Sequence, residues 1–203
     1  HCISSAASDV YKRQVRARRS LAGEGLQVLV YAPDQPDLFA RICGYFDRAA
    51  FSILDARVHT AHNSYALDTF QVVAPAMQEQ YRELMHMVEN DLVAALMQGG
   101  PLREPSPRRL SRRVKSFPFA PRVTLQPDEK AQHWLLSISA TDRAGLLYTV
   151  ARILAQHHLS VQLAKVSTLG ERVEDSFLIE GAELQNNQRQ LLIETELLQA
   201  LAV

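Results

Sequence analysis

The sequence predicts an α+β protein made of two copies of one β-α-β-β-α unit, each with its helices on one face of an antiparallel sheet. Two observations carry this. The chain repeats itself at a fixed shift, and within each copy the apolar spacing alternates, turns helical and alternates again in the same order. The length of 203 residues suits two small domains as well as one large one.

The repeat comes first. A shift of 108 positions lays residues 31–39 on 139–147, so that Ala32 meets Ala140, Asp34 meets Asp142 and Leu38 meets Leu146. The match runs on through Ser52 and Ser160, Ala56 and Ala164, Val58 and Val166, and Thr60 and Thr168. One residue is then dropped, after which Asp68 meets Asp175 and Phe70 meets Phe177. Between these, Ile42 and Val150, Phe46 and Leu154, Phe51 and Leu159, and Ile53 and Val161 agree in class.

Each element follows. Residues 26–31 and 134–139 are apolar, partly alternating runs and read as first strands. A short loop with an Asp leads to a helix, marked by Leu38, Ile42, Tyr45 and Phe46 in one copy and by Leu146, Leu147, Val150, Ile153 and Leu154 in the other. Offsets of three, four and seven put these on one face. Phe51 to Leu54 and Leu159 to Val161 begin second strands, Asn63-Ser64 and Leu169-Gly170-Glu171 signal turns, and third strands are expected near 66–73 and 172–179. A second helix carries the stripe Met77, Tyr81, Leu84, Met85, Val88, Leu92 and Leu96, and its counterpart the stripe Leu191, Leu192, Leu197, Leu198 and Leu201. One unit of roughly 70 residues has a marginal core, so the two copies are expected to pair.

The expected boundaries are a leader at 1–21, a first domain at 22–100, a basic proline-containing linker at 101–120 and a second domain at 121–203. The chain opens on His1, and residues 1–14 show no periodicity and resemble a translated adaptor; they are set outside the fold, and the chain reads as part of a longer protein. Residues 114–119 are either linker or a fourth strand of the first sheet. Residues 122–126 can form a hairpin with 134–139 through Pro127-Asp128, giving the second copy a borrowed strand.

Composition excludes several classes. Formal net charge is zero, which argues against nucleic acid and against an anionic membrane. No run of about 18 apolar residues is present, so no membrane-spanning helix is expected. Two cysteines, Cys2 and Cys43, make a disulfide framework improbable and fit a cytoplasmic setting.

Chemistry concentrates at the second strand-to-helix junction, Asp142-Arg143-Ala144-Gly145-Leu146-Leu147. Free N–H groups at a helix N-terminus favour a carboxylate, Gly145 admits close approach of a ligand, and Asp142 can accept from an amino group. The other reading is that Asp142 caps the helix. His59 and His62 lie three apart in a strand, on opposite faces, and do not suit a metal. His157-His158 suit a helix end. Cys43 reads as a packing residue, and Glu171, Arg172, Glu174 and Asp175 as a solvated turn and strand. Arg103, Arg108, Arg109, Arg112, Arg113 and Lys115 read as a solvated linker touching acidic surface elsewhere, with too few aromatics interleaved (Phe117 and Phe119) for nucleic acid.

The run Asp142-x-x-Gly145-Leu146-Leu147 with residues 167–177, Ser-Thr-Leu-Gly-Glu-Arg-Val-Glu-Asp-Ser-Phe, resembles the last of the two C-terminal ACT domains of the bifunctional uridylyltransferase/uridylyl-removing family that modifies PII signal proteins. Residues 34–42 and 66–70 resemble the penultimate one. The likeness covers about residues 22–203. It implies two ferredoxin-like ACT units that sense glutamine, with nucleotidyltransferase and HD hydrolase domains in the same polypeptide. Those catalytic motifs are absent from this sequence, and with them the Mg or Mn such domains hold; no catalytic residue and no cofactor is expected here. The resemblance places ligand at Asp142, Arg143, Gly145 and Leu146, and in the first copy at Asp34 and Leu38, where Asp37 stands in the place of Gly145. The alternative is a freestanding ACT-repeat protein that binds another amino acid.

Overall fold

The computed structural model describes residues 13–21, 23–35, 37–59, 64–74, 80–105, 119–128, 133–169 and 172–202. The first unit comprises β1 (Gln14–Arg19), β2 (Leu26–Pro33), α1 (Leu38–Arg48), β3 (Ser52–Arg57), β4 (Tyr65–Val73) and α2 (Tyr81–Gln98). The second comprises β5 (Arg122–Pro127), β6 (Trp134–Thr141), α3 (Leu146–Gln156), β7 (Ser160–Lys165), β8 (Thr168–Leu169), β9 (Arg172–Glu180), a short 3₁₀ turn (Ala182–Gln185) and α4 (Asn187–Leu201). The sheets are antiparallel with strand orders β1-β2-β4-β3 and β5-β6-β9-β7, and β8 folds onto β9. Both units are thus α+β folds of the ferredoxin-like order, each with an antiparallel sheet.

The repeat is legible in the backbone. β1 and β5, β2 and β6, α1 and α3, and β3 and β7 all begin 108 residues apart, and the one-residue deletion falls before β9. Each copy has the same register shift in its edge strand, between Ile53 and Asp55 against β4 and between Val161 and Leu163 against β9. Ala50 and His158, at equivalent helix ends, share a positive φ of 59° and 54°.

β1 corrects the expected leader, whose last residues belong to the first sheet. The strand pairs with β2 from Gln14↔Tyr31 to Arg19↔Leu26. Its signal is weak because Val15 and Ala17 are its only apolar inward positions, Arg16 and Arg18 alternate with them, and Arg19 takes the next inward place. Val15 is buried, the Ala17 N–H donates to Glu89 of α2 at 2.8 Å, and the Arg19 guanidinium lies over the Tyr81 ring. β1 fills the edge that residues 114–119 were expected to complete; 114–118 lie outside the described residues. The hairpin of β5 with β6 follows the expected register, from Arg122↔Ser139 to Pro127↔Trp134.

The second correction concerns α4. Its buried stripe is Ile193, Leu197 and Leu201, spaced by four, whereas Leu191, Leu192 and Leu198 face outward. Asn186 caps this helix by accepting from the N–H groups of Gln188 and Arg189. In α2 the stripe from Tyr81 onward holds, with Met77 outside the described residues: Val88, Leu92 and Leu96 are buried, and Tyr81, Leu84 and Met85 pack beside them.

The two copies share one apolar core. α1 packs on α3, and the edge strands β3 and β7 lie side by side. The approach of the helices depends on Gly44, since a Cβ there would stand 2.7 Å from the Tyr148 ring. Phe39 of the first copy reaches the second, its ring 6.2 Å from that of Phe177. Each fully buried Leu, Val or Phe in this shared core contributes about 1.5–3 kcal/mol, which offsets the small size of either unit.

Candidate functional site

The loop between β6 and α3 is built around Gly145, which sits at the helix N-cap with φ 78° in the left-handed region. A non-glycine residue there is strained, and a Cβ would stand 2.8 Å from Oδ1 of Asp47. The cap position makes no side-chain hydrogen bond, so Asp142 does not cap α3; its carboxylate takes the backbone N–H of Arg143 instead. At the first turn of α3 the Leu146 N–H donates to the Arg143 carbonyl at 3.2 Å, and no side chain caps the turn among the described residues, which leaves this helix end favourable to an anion.

A cavity of about 80 Å³ opens against this loop, large enough for several waters or a small solute. Its walls come from both copies. The second copy supplies Asp142, Arg143, Gly145, Leu146, Leu147 and Asp175; the first supplies Cys43 and Asp47 of α1 and the start of β3 through Leu54. The register shift in β3 turns Leu54 into this wall. All four residues expected in the second loop meet here. Asp34 and Leu38 line a different cavity of about 10 Å³, with Phe39, Val58, Asp68 and Ser160.

Charge around the cavity at the second loop is mostly acidic. Burial raises the Asp142 carboxyl above the usual carboxylate range, against the N–H of Arg143. Arg143 is half-buried and its guanidinium donates to the carbonyl of Ala200 at the end of α4. Asp47 is 4% exposed. Asp175, on β9, is 2% exposed, which corrects its reading as part of a solvated strand. The alternation of β9 turns Val173, Asp175 and Phe177 inward, while Glu174 stays half-exposed and pairs with Arg172. Burial first, then nearby Asp142 and Glu174, push the Asp175 carboxyl up to about 7 against the opposing N–H of Ser167. That N–H donates to Oδ1 at 3.2 Å, and Oδ2 has no hydrogen-bond partner among the described residues. Asp68 and Asp175 are matched in the repeat and similarly buried. Asp68 accepts the His59 N–H at 3.3 Å, as Asp175 accepts that of Ser167, and burial pushes it too up to about 7.

Other candidates fall elsewhere. Cys43 is buried and its thiol is pushed up by burial and by Asp68 and Asp175, so it is a packing residue with a contact on the cavity. His157 meets Glu196 of α4 at 2.7 Å. Among the described residues no group of His, Cys, Asp and Glu is arranged to hold a metal. His62, residues 108–115, Phe117, Gly170 and Glu171 lie outside the described residues.

Comparison with known proteins adds three findings. Residues 134–189 match the ACT domain family. The chain is 55% identical over 194 residues to the bifunctional uridylyltransferase/uridylyl-removing enzyme of Ralstonia nicotianae and 55% identical over 190 residues to that of Cupriavidus metallidurans. It is 53% identical over 189 residues to that of Burkholderia thailandensis. Each match covers 93% of this chain and 22% of the relative, so the chain spans about a fifth of the length of the curated relatives it matches.

Proposed function

From a chain whose second unit is an ACT domain and which matches about a fifth of bifunctional uridylyltransferase/uridylyl-removing enzymes, we propose that this is the glutamine-sensing regulatory part of such an enzyme. The enzyme would uridylylate PII nitrogen-signal proteins and reverse the modification through nucleotidyltransferase and HD domains joined to this chain. Any Mg or Mn belongs with those domains, and the setting is the cytoplasm. Among the described residues no helix is long and apolar enough to cross a membrane.

The observation that carries the proposal is the cavity at the second loop, walled by both copies. An amino acid has a carboxylate and an ammonium group, and the cavity offers both complements. The uncapped first turn of α3 suits the carboxylate, and Asp142 with Asp47 suits the nitrogen. Gly145 keeps the approach to the helix end open. Because Asp47 and Leu54 come from the first copy, ligand bound here favours one arrangement of the pair over another. That difference in affinity is what a regulatory module passes on. Arg143 links the same loop to the end of α4, a route from ligand to the outer helices.

Calorimetry of this chain with the proteinogenic amino acids at about pH 8 tests the reading. One glutamine per chain is expected, at least about tenfold tighter than glutamate, whose extra charge faces buried carboxylates. Tighter binding of a different amino acid would support the freestanding-repeat alternative, and silence with all of them would remove the cavity as a sensor.

A further inference from the structure

We propose that Asp175 is the acceptor that reads nitrogen-bound hydrogens of the ligand, and that filling the cavity is linked to release of a proton. This rests on the cavity being the amino-acid site. Asp175 lines the cavity, is 98% removed from solvent by its 2% exposure, and has one oxygen satisfied and one not. A buried carboxylate oxygen without a donor is costly, and the cost disappears when a ligand brings an N–H to it. An ammonium or a carboxamide NH₂ is the matching group; a carboxylate or an apolar tail is not.

The neighbours make the carboxyl hold its own proton when the cavity lacks ligand. Asp142 faces it from the loop, Glu174 adjoins it on β9, and α1 presents Asp47 and Cys43. The positive groups nearby are committed: Arg143 to the carbonyl of Ala200, and Arg172 to Glu174 and Ser139. Tyr148 of α3 and Cys43 are both pushed up by burial and stay protonated near neutrality. An unfilled site therefore favours the neutral acid, in keeping with a carboxyl pushed up to about 7. A ligand N–H favours the ionised form and lowers the pKa, so the proton leaves as the ligand enters. Affinity then rises with pH until about 7 and levels above it.

The test is calorimetry of glutamine binding to this chain between about pH 5.5 and pH 8, in two buffers of different ionisation enthalpy. Affinity is expected to rise about fivefold from pH 6 to pH 7 and about twofold more to pH 8, with close to one proton released at about pH 6. Asp175→Asn should flatten the profile, while Asp68→Asn, at the matched position beside the other cavity, keeps its slope. Glutamine binding with no pH dependence and no proton release in the unaltered chain would overturn the inference and leave the site in place. A slope surviving in Asp175→Asn would overturn it too. Absence of glutamine binding at every pH would overturn the reading beneath it.

Discussion

The two strand-to-helix loops occupy equivalent places in the repeat and differ in what they enclose. The loop after β6 borders a cavity of about 80 Å³, the loop after β2 one of about 10 Å³. Two substitutions account for the difference. Gly145 turns the second loop through the left-handed region, while its counterpart Asp37 has φ −103° and sends its carboxylate to Arg41 at 2.5 Å. Leu147 leaves space where its counterpart Phe39 inserts a ring between Phe70 and Phe177. The buried acids Asp68 and Asp175 are alike, so a shared scaffold is open at one end and filled at the other. A tandem repeat can thus keep one copy as a structural partner while the other retains a site, with both supplying walls.

The strongest way to break this comparison is Leu147→Phe, which copies the closed loop onto the open one. Glutamine affinity should fall by about a hundredfold or more, with a stability cost of about 1–3 kcal/mol from overpacking. Calorimetry and urea unfolding measure the two effects, and unchanged affinity would place the ligand elsewhere. Gly145→Ala comes next. It should weaken binding about tenfold and destabilise by about 1 kcal/mol, since a Cβ is strained at that φ and meets Asp47. The converse pair, Asp37→Gly with Phe39→Leu, should open the first loop and move the stoichiometry from one glutamine toward two. Phe39→Leu alone should cost about 1–2 kcal/mol through the cavity it leaves, with the stoichiometry unchanged.

A further prediction separates the two acids. The folded protein holds the Asp68 proton up to about pH 7, whereas an unfolded chain loses it near pH 4. Stability from this group therefore falls as pH rises from about 4 to 7 and is flat above. Asp68→Asn keeps an acceptor for the His59 N–H and has no such loss. Its melting temperature should gain on the parent across that window, with or without glutamine. A gain that grows toward low pH would contradict the assignment.

Much of this was legible in the residues. The repeat at a shift of 108 fixed the element order, the hairpin of β5 and β6, and the pairing of copies, because apolar spacing survives where identity does not. The loop residues Asp142, Arg143, Gly145 and Leu146 were visible because a glycine after an acid at a helix start has a specific backbone use. Three features were hidden. β1 carries only Val15 and Ala17 as apolar inward positions among arginines, too little alternation to register. Asp175 sits in a run with Glu174 and Arg172 that reads as surface, and only its inward place on β9 buries it. The contribution of Asp47 and Leu54 depends on how α1 and β3 meet the second copy, a tertiary fact that no local spacing encodes.

A co-crystal structure of this chain with glutamine tests the central claim most directly. Expected is one glutamine in the cavity beside Gly145, its nitrogens toward Asp142 and Asp175 and its carboxylate at the first turn of α3, with the cavity at Asp34 and Leu38 unfilled. Glutamine seated at the first loop, or away from both loops, would contradict it.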